Sequence, residues 1–288
     1  MGFLTDWITE WLKDLLISGI LGNLSGLFDN VNNQVGEIAS TVGQTPGAFN
    51  PGVFALIRNL SETVVLPVAG ILLTFVMTWE LIQLIIDQNN LHQLDTWIFF
   101  KWVFKTMAAV LILTNTFNIV AGIFDVSQSV VNNAAGLISG STAITGDMMA
   151  TLEAELWLMD VGPLLGLWLQ SFLIQIIVLA MNIVVFIIVY GRMVEIYLLT
   201  SLAPLPMATL TNREMGGMGQ NYMKSLLAVG FQGLLIMVCV AIYAVLVQSI
   251  AISGDPMGAI WSAIGYTVLL CFTLFKTGSI SKAIFAAH

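Results

Sequence analysis

A chain of 288 residues that is 58% hydrophobic and only 9% charged, with a mean hydropathy of +0.92, is not an ordinary soluble domain, in which about a quarter of residues are charged. Its formal net charge of −8 and pI near 4.5 exclude a chain whose overall field traps nucleic acid, so any polyanion it handles is held weakly. The two cysteines, Cys239 and Cys271, sit inside apolar runs without the partners that a disulfide or metal site requires, and read as small apolar fillers.

The opening MGFLTDWITEW has neither a basic region nor a compact apolar core of the signal-peptide kind, so the chain is expected to insert through its own spans. Residues 3–21 place Leu4, Trp7, Ile8, Trp11, Leu12, Leu15 and Leu16 at helical spacing, with Asp6, Glu10, Lys13 and Asp14 on the other side. This predicts an N-terminal amphipathic helix too charged to span. Tryptophans on its apolar edge favour a helix lying on the membrane surface over one packed against another part of an assembly. Residues 22–63, which contain NNQVGE and QTPGAFNPG and many Gly, Asn, Gln and Ser, read as a mostly irregular connector. Residues 1–63 are thus expected to form an exterior segment ahead of a membrane domain over 64–288.

Five apolar runs follow, at about 64–86, 102–124, 163–190, 226–252 and 257–275, each long enough for the roughly 20 residues a helix needs to cross a bilayer. They predict an all-α polytopic membrane protein. Its nine basic residues set the orientation. Lys101 and Lys105 lie between the first two runs, Arg192, Arg213 and Lys224 between the third and fourth, and Lys276 and Lys282 after the last, while residues 121–162 have none and carry Asp125, Asp147, Glu153, Glu155 and Asp160. The positive-inside rule then makes 121–162 an exterior loop and 191–225 a cytoplasmic segment, with the N-terminus outside and the C-terminus in the cytoplasm.

The segment 193–210 is a doubtful sixth span, because basic residues flank it on both sides and SLAPLPMATL puts Pro204 and Pro206 near its end. Proline removes a backbone donor and clashes with the preceding turn, so a broken or re-entrant helix is expected, with its freed carbonyls facing a cavity or a neighbouring subunit.

Catalytic readings find little to stand on. The only histidines are His92, in the 87–96 loop, and His288, and neither can join a serine or a metal at membrane depth. Lys224-Ser225 lacks the glycine that a phosphate-binding loop needs before its lysine, and MGGMG at 215–219 reads as a flexible cytoplasmic turn. No cofactor is implied.

The polar groups within the runs are the candidates for a pathway or an interface. Glu80 has no basic residue one turn away, so its partner must come from another helix. Glu195 lies three residues after Arg192 and could pair with it on one helix face. Gln175 and Asn182, with Ser171, form a polar stripe on the third run, and Gln232 lies on the fourth beside Gly230 and Gly233. Such groups make either interhelical hydrogen bonds or the wall of an aqueous path. WIFFKWVFK at 97–105 interleaves Lys101 and Lys105 with Trp97, Trp102 and three phenylalanines. It reads as an interfacial aromatic belt, with stacking on single-stranded DNA as the alternative.

An amphipathic N-terminal segment, five runs, a lysine-free central loop and RMVEIYLLTSLAPLPMATL, together with NLSETVVLPVAGILLTFVMTWEL and TNTFNIVAGIFDVSQ, resemble the TrbL-like polytopic membrane subunit of conjugal type IV secretion systems. The resemblance runs over most of the chain but rests on no catalytic signature. It implies a non-enzymatic channel component of the cytoplasmic membrane that helps pass single-stranded DNA with attached protein. It also implies a homo-oligomeric ring, a pentamer by the resemblance alone, working with other secretion subunits and a separate ATPase among membrane lipid. Two other readings remain open at this point: a proton-coupled or small-solute transporter using Glu80 and Glu195, and a structural membrane scaffold. Inverted repeats of the transporter kind are not visible in the sequence.

Overall fold

The computed structural model of the chain describes residues 2–87, 96–138, 147–251 and 256–287, so His92 and His288 lie outside the described residues. Among the described residues the structure is helices joined by short turns, with no strand. Five helical stretches are long and apolar enough to cross a membrane: Pro51–Ile86, Trp97–Thr114, Val161–Leu202, Gly216–Ser249 and Met257–Ile284. The chain is an all-α polytopic membrane protein.

Its contacts divide into two units. The first comprises Met1–Gly43, Val131–Tyr190 and Leu234–Thr277; the second comprises Gln44–Val130, Gly191–Gly233 and Gly278–His288.

The first unit begins with α1, Gly2–Val42. The irregular connector expected from residue 22 onward is therefore wrong over its first half. Leu16, Ile20, Leu24, Leu27, Ile38 and Val42 keep helical spacing through the Gly- and Asn-rich stretch, and all are buried. They pack in one apolar core with the first thirty residues of α8 (Val161–Leu202), the later part of α10 (Gly216–Ala251), most of α11 (Pro256–Ile284), and α7 (Asp147–Trp157). Much of the expected exterior loop 121–162 is helical too. It holds most of α6 (Thr116–Ile138) and all of α7.

The second unit begins with the rest of the supposed connector. QTPGAFNPG is two helix starts in succession. Thr45 accepts from Ala48 N at 3.2 Å ahead of α2, Pro46–Phe49, and Asn50 accepts from Val53 N at 3.0 Å ahead of α3, Pro51–Leu60. In both, proline stands first in the helix, where its missing N–H leaves nothing unpaired. A π-helical turn over Ser61–Val65 joins α3 to α4, Leu66–Asp87. Pro67 explains it: with no N–H there to reach Thr63, the ladder widens by one residue and Leu66 N bonds Ser61 O.

α4 pairs with α5, Thr96–Thr114, through Ala69, Leu73, Val76 and Met77 against Ala109 and Leu113. Residues 116–124, expected in the second span, belong instead to α6, which starts after a break at Asn115. The third run does not stop at 190 either, since α8 continues to Leu202.

The proline segment is broken, as expected. α8 ends at Leu202, Ala203 makes a turn, and α9, Pro204–Thr209, packs Leu205 and Ala208 against the α4 core. The MGGMG stretch is not a flexible turn. Gly216–Gly219 opens α10, and a Cβ on Gly219 would stand 2.7 Å from Leu210 Cα and 2.8 Å from Pro206 O. Only glycine lets α10 start this close to α9.

Candidate functional site

The polar groups of the two units form separate clusters, and each cluster is built from helices that the apolar spacing has already brought together.

In the first unit the stripe on α8 meets α1. Asn23 Nδ2 donates to Ser171 Oγ at 2.6 Å, Gln175 Nε2 donates to Asn23 Oδ1 at 2.6 Å, and Gln34 Nε2 donates to Asn182 Oδ1 at 2.9 Å. Gln175 and Asn182 are thus interhelical, but their partners lie in the stretch read as a connector. Asn23 and Gln34 escaped the sequence reading because amides in a Gly-rich segment look like loop chemistry. Their signal was position: Asn23 stands among Ile20, Leu24 and Leu27, on a face that is otherwise apolar. A cleft of about 70 Å³ elsewhere in this unit is lined by Cys239, Tyr243, Tyr266 and Thr273, and Tyr243 shares a hydrogen bond of 2.8 Å with Thr267.

In the second unit Glu80 is almost fully buried and finds its cation on another helix, as expected. Lys105 Nζ bonds Glu80 Oε1, and Asn212 Nδ2 reaches Glu80 Oε2 at 3.3 Å. Asn212 also accepts from Glu214 N at 2.8 Å and Met215 N at 2.7 Å. One side chain therefore ties the turn before α10 to the α4–α5 pair. Nearby, Gln83 Nε2 donates to Glu214 at 2.7 Å.

Trp97, Lys101, Trp102 and Lys105 do not act as a single belt. Trp97 is exposed with Lys101 Nζ 5.6 Å from its ring centre, while Trp102 Nε1 turns inward to Met77 O at 3.1 Å and Lys105 is engaged by Glu80. The outward aromatic face is made by Trp97, Phe99, Phe100 and Phe104.

The expected Arg192–Glu195 pair is not formed. Arg192, 2% exposed, donates from Nε to Val229 O and from Nη2 to Gly230 O, both at 3.0 Å, and its Nη1 has no partner among the described residues. Glu195 turns the other way, to Lys282 Nζ at 3.0 Å. The cause is packing: Met193 and Ile196 are buried on α8, and the same face carries Arg192 into the core with Val229 while Glu195 stays at its rim. Gln232 is buried beside Gly278 of α11. Gln128, adjacent to a Ser127 that lies against Gly230, is buried with neither amide atom paired among the described residues. Pro204 is buried and Pro206 partly so.

None of these clusters has the geometry of a nucleophile with its base. They are the joints of a helical membrane assembly, and a family comparison says which kind. The model of the TrbL/VirB6 plasmid conjugal transfer like proteins matches residues 31–204, more than half of the chain. The chain belongs to the TrbL/VirB6 family. No curated protein and no solved structure matches it. The TrbL/VirB6 match takes in Gln34, Glu80, Lys105, the α8 stripe, Arg192, Glu195 and Pro204, and it ends just ahead of Pro206 and Asn212. This TrbL/VirB6 chain is therefore a membrane component of conjugal transfer.

Proposed function

We propose that the chain is a non-catalytic subunit of a conjugative type IV secretion channel in the cytoplasmic membrane, assembled as a homo-oligomeric ring through which, or beside which, single-stranded DNA with attached protein passes. The observation that carries this reading is the TrbL/VirB6 match across residues 31–204 of a chain with five helices able to span. The N-terminus is outside and the C-terminus cytoplasmic, in keeping with the clustering of Arg192, Arg213, Lys224, Lys276 and Lys282. Energy comes from a separate ATPase, and other secretion subunits and membrane lipid are its neighbours. The bend at Pro204 and Pro206 lines the inner mouth, and Trp97 and Lys101 anchor α5 at the interface.

Ion pairing weighs against the transporter reading. Glu80 is engaged by Lys105 and Asn212, and Glu195 by Lys282, so each carboxylate is committed to partners within the fold. The test is crosslinking during active transfer. A photo-reactive residue placed at Leu205 should trap DNA when transfer runs and lose that product when the ATPase is inactive. If transfer is normal in cells lacking the chain, the reading fails.

A further inference from the structure

The first unit contains a helix that hydropathy does not count among the spans, yet which the hydrogen bonds hold beside one. Asn23 meets Ser171 and Gln175, and Gln34 meets Asn182, so α1 runs parallel to α8 and level with it. At the upper end of this seam, a Cβ on Gly19 would collide with the Trp168 ring, so the two helices touch there as well.

The outward side of α8 over the same stretch consists of Leu165, Leu169, Phe172, Ile176, Ile183 and Ile187, all exposed. From residue 165 to 187 a helix rises about 33 Å, close to the ~30 Å of a bilayer's hydrocarbon core. A face that long and that apolar is matched by acyl chains. What is level with it is at the same depth.

α1 is then at hydrocarbon depth, and its own outward side is of another character. Ser18, Gly22, Gly26, Asp29, Asn33 and Glu37 are exposed there at helical spacing. An ionised carboxylate in lipid costs about 3 kcal/mol on insertion scales and more by other measures, so Asp29 and Glu37 are not turned to acyl chains. Clefts follow the seam between the two helices. One of about 260 Å³ is lined by Asn23, Gly26, Gln175 and Asn182 with three apolar side chains; a smaller one, about 50 Å³, takes in Gln34, Glu37 and Asn182.

Two further helices meet α1 at its opposite ends. Asn132 Nδ2 donates to Gly43 O at 3.1 Å at the far end of α1, and Met149 and Glu153 of α7 border a cleft with Asp14, Ser18 and Ser25 near its beginning. α6 therefore meets the far end of α1, and α7 meets it near its beginning.

We propose that α1 is a membrane-embedded helix of the transfer channel, keyed to the α8 span by the amide ladder, with the Ser18–Asp29–Glu37 side facing an aqueous path. This moves residues 22–42 from the exterior, where the sequence alone places them, into the membrane domain.

The proposal rests on the channel reading, and the test separates the two. In the full-length chain in membranes, with Cys239 and Cys271 replaced by Ser, nitroxides are attached singly at Asp29→Cys, Asn33→Cys, Ile176→Cys and Ile183→Cys, and collision rates with oxygen and with a water-soluble nickel chelate are compared. Positions 176 and 183 should favour oxygen, and positions 29 and 33 the nickel chelate, each by several-fold. The proposal is overturned if 176 and 183 favour nickel, which puts the whole unit outside the bilayer. It is equally overturned if 29 and 33 favour oxygen, or if they are shielded from both reagents by a second helix. Plasmid transfer is scored in parallel with a strain lacking the chain. Transfer that does not need the chain removes the channel while leaving the depth pattern to stand on its own.

Discussion

At the residue scale, two ion pairs with the same chemistry sit in different surroundings. Glu80 is nearly buried and also bonded by Asn212, whereas Glu195 and Lys282 have side chains 40% and 49% exposed. A double-mutant cycle on Glu80→Gln and Lys105→Met should give a coupling above ~1 kcal/mol, since each single change strands a partner, while the same cycle on Glu195 and Lys282 should fall within ~0–1 kcal/mol. Arg192 supports a less intuitive expectation. A buried guanidinium facing only carbonyls gains little from its charge, so Arg192→Met should unfold in detergent within ~1–2 kcal/mol of the parent, and Arg192→Lys should be worse, because a compact ammonium cannot reach both Val229 O and Gly230 O. Thermal unfolding of the two variants side by side decides it. If Lys is the milder change, the bidentate geometry is not what matters. The sequence revealed that Glu80 needed a distant cation, but not that Arg192 would ignore Glu195. Spacing says which side chains can meet on one helix, and burial against another helix decides which do.

At the element scale, what was legible was what depends on local rules. Apolar runs gave the long helices, and the proline pair gave the break after Leu202. What was not legible was α1 beyond residue 21, because Gly, Asn and Ser weaken helix propensity and only the contacts with α8 repay it. QTPGAFNPG misled for a related reason: the residues that make turns also make caps, and only the following helix distinguishes them. The broken segment yields two expectations. Pro204 and Pro206 both stand in the first turn of α9, where proline does little harm, so replacing both with alanine should act by letting α8 run straight on. Leu205 and Ala208 would then leave α4, hydrogen exchange over residues 69–77 should quicken, and transfer should fall at normal protein level. Unchanged exchange and transfer would reduce the bend to a plain helix end. Gly219→Val tests the same joint from the other side. Its side chain would collide with Leu210 and the Pro206 carbonyl, and a loss of ~1–3 kcal/mol is expected, seen as a lower unfolding temperature.

At the scale of the whole molecule, the orientation and the assembly are open to direct measurement. In a background lacking both native cysteines, Glu10→Cys should react with an impermeant thiol reagent from outside and Lys282→Cys should not; the reverse would invert the map. Mass measurement in mild detergent should return a homo-oligomer, and monomers alone would count against the ring. The ladder between α1 and α8 bears on how such a ring could move. Its rungs are eleven residues apart on both helices, from 23 to 34 and from 171 to 182. At about 100° per residue eleven steps are three turns and roughly 20°, so the rungs realign with scarcely any winding. Sliding α1 by one turn towards the end of α8 would leave Asn23 beside Gln175 but carry Gln34 from Asn182 to Phe186, so one rung can re-form while the other breaks. Piston travel therefore costs this pair its Gln34–Asn182 rung, and a push on the tip of α1 passes to the α8 stretch beside it more readily as tilt or rotation of the two together.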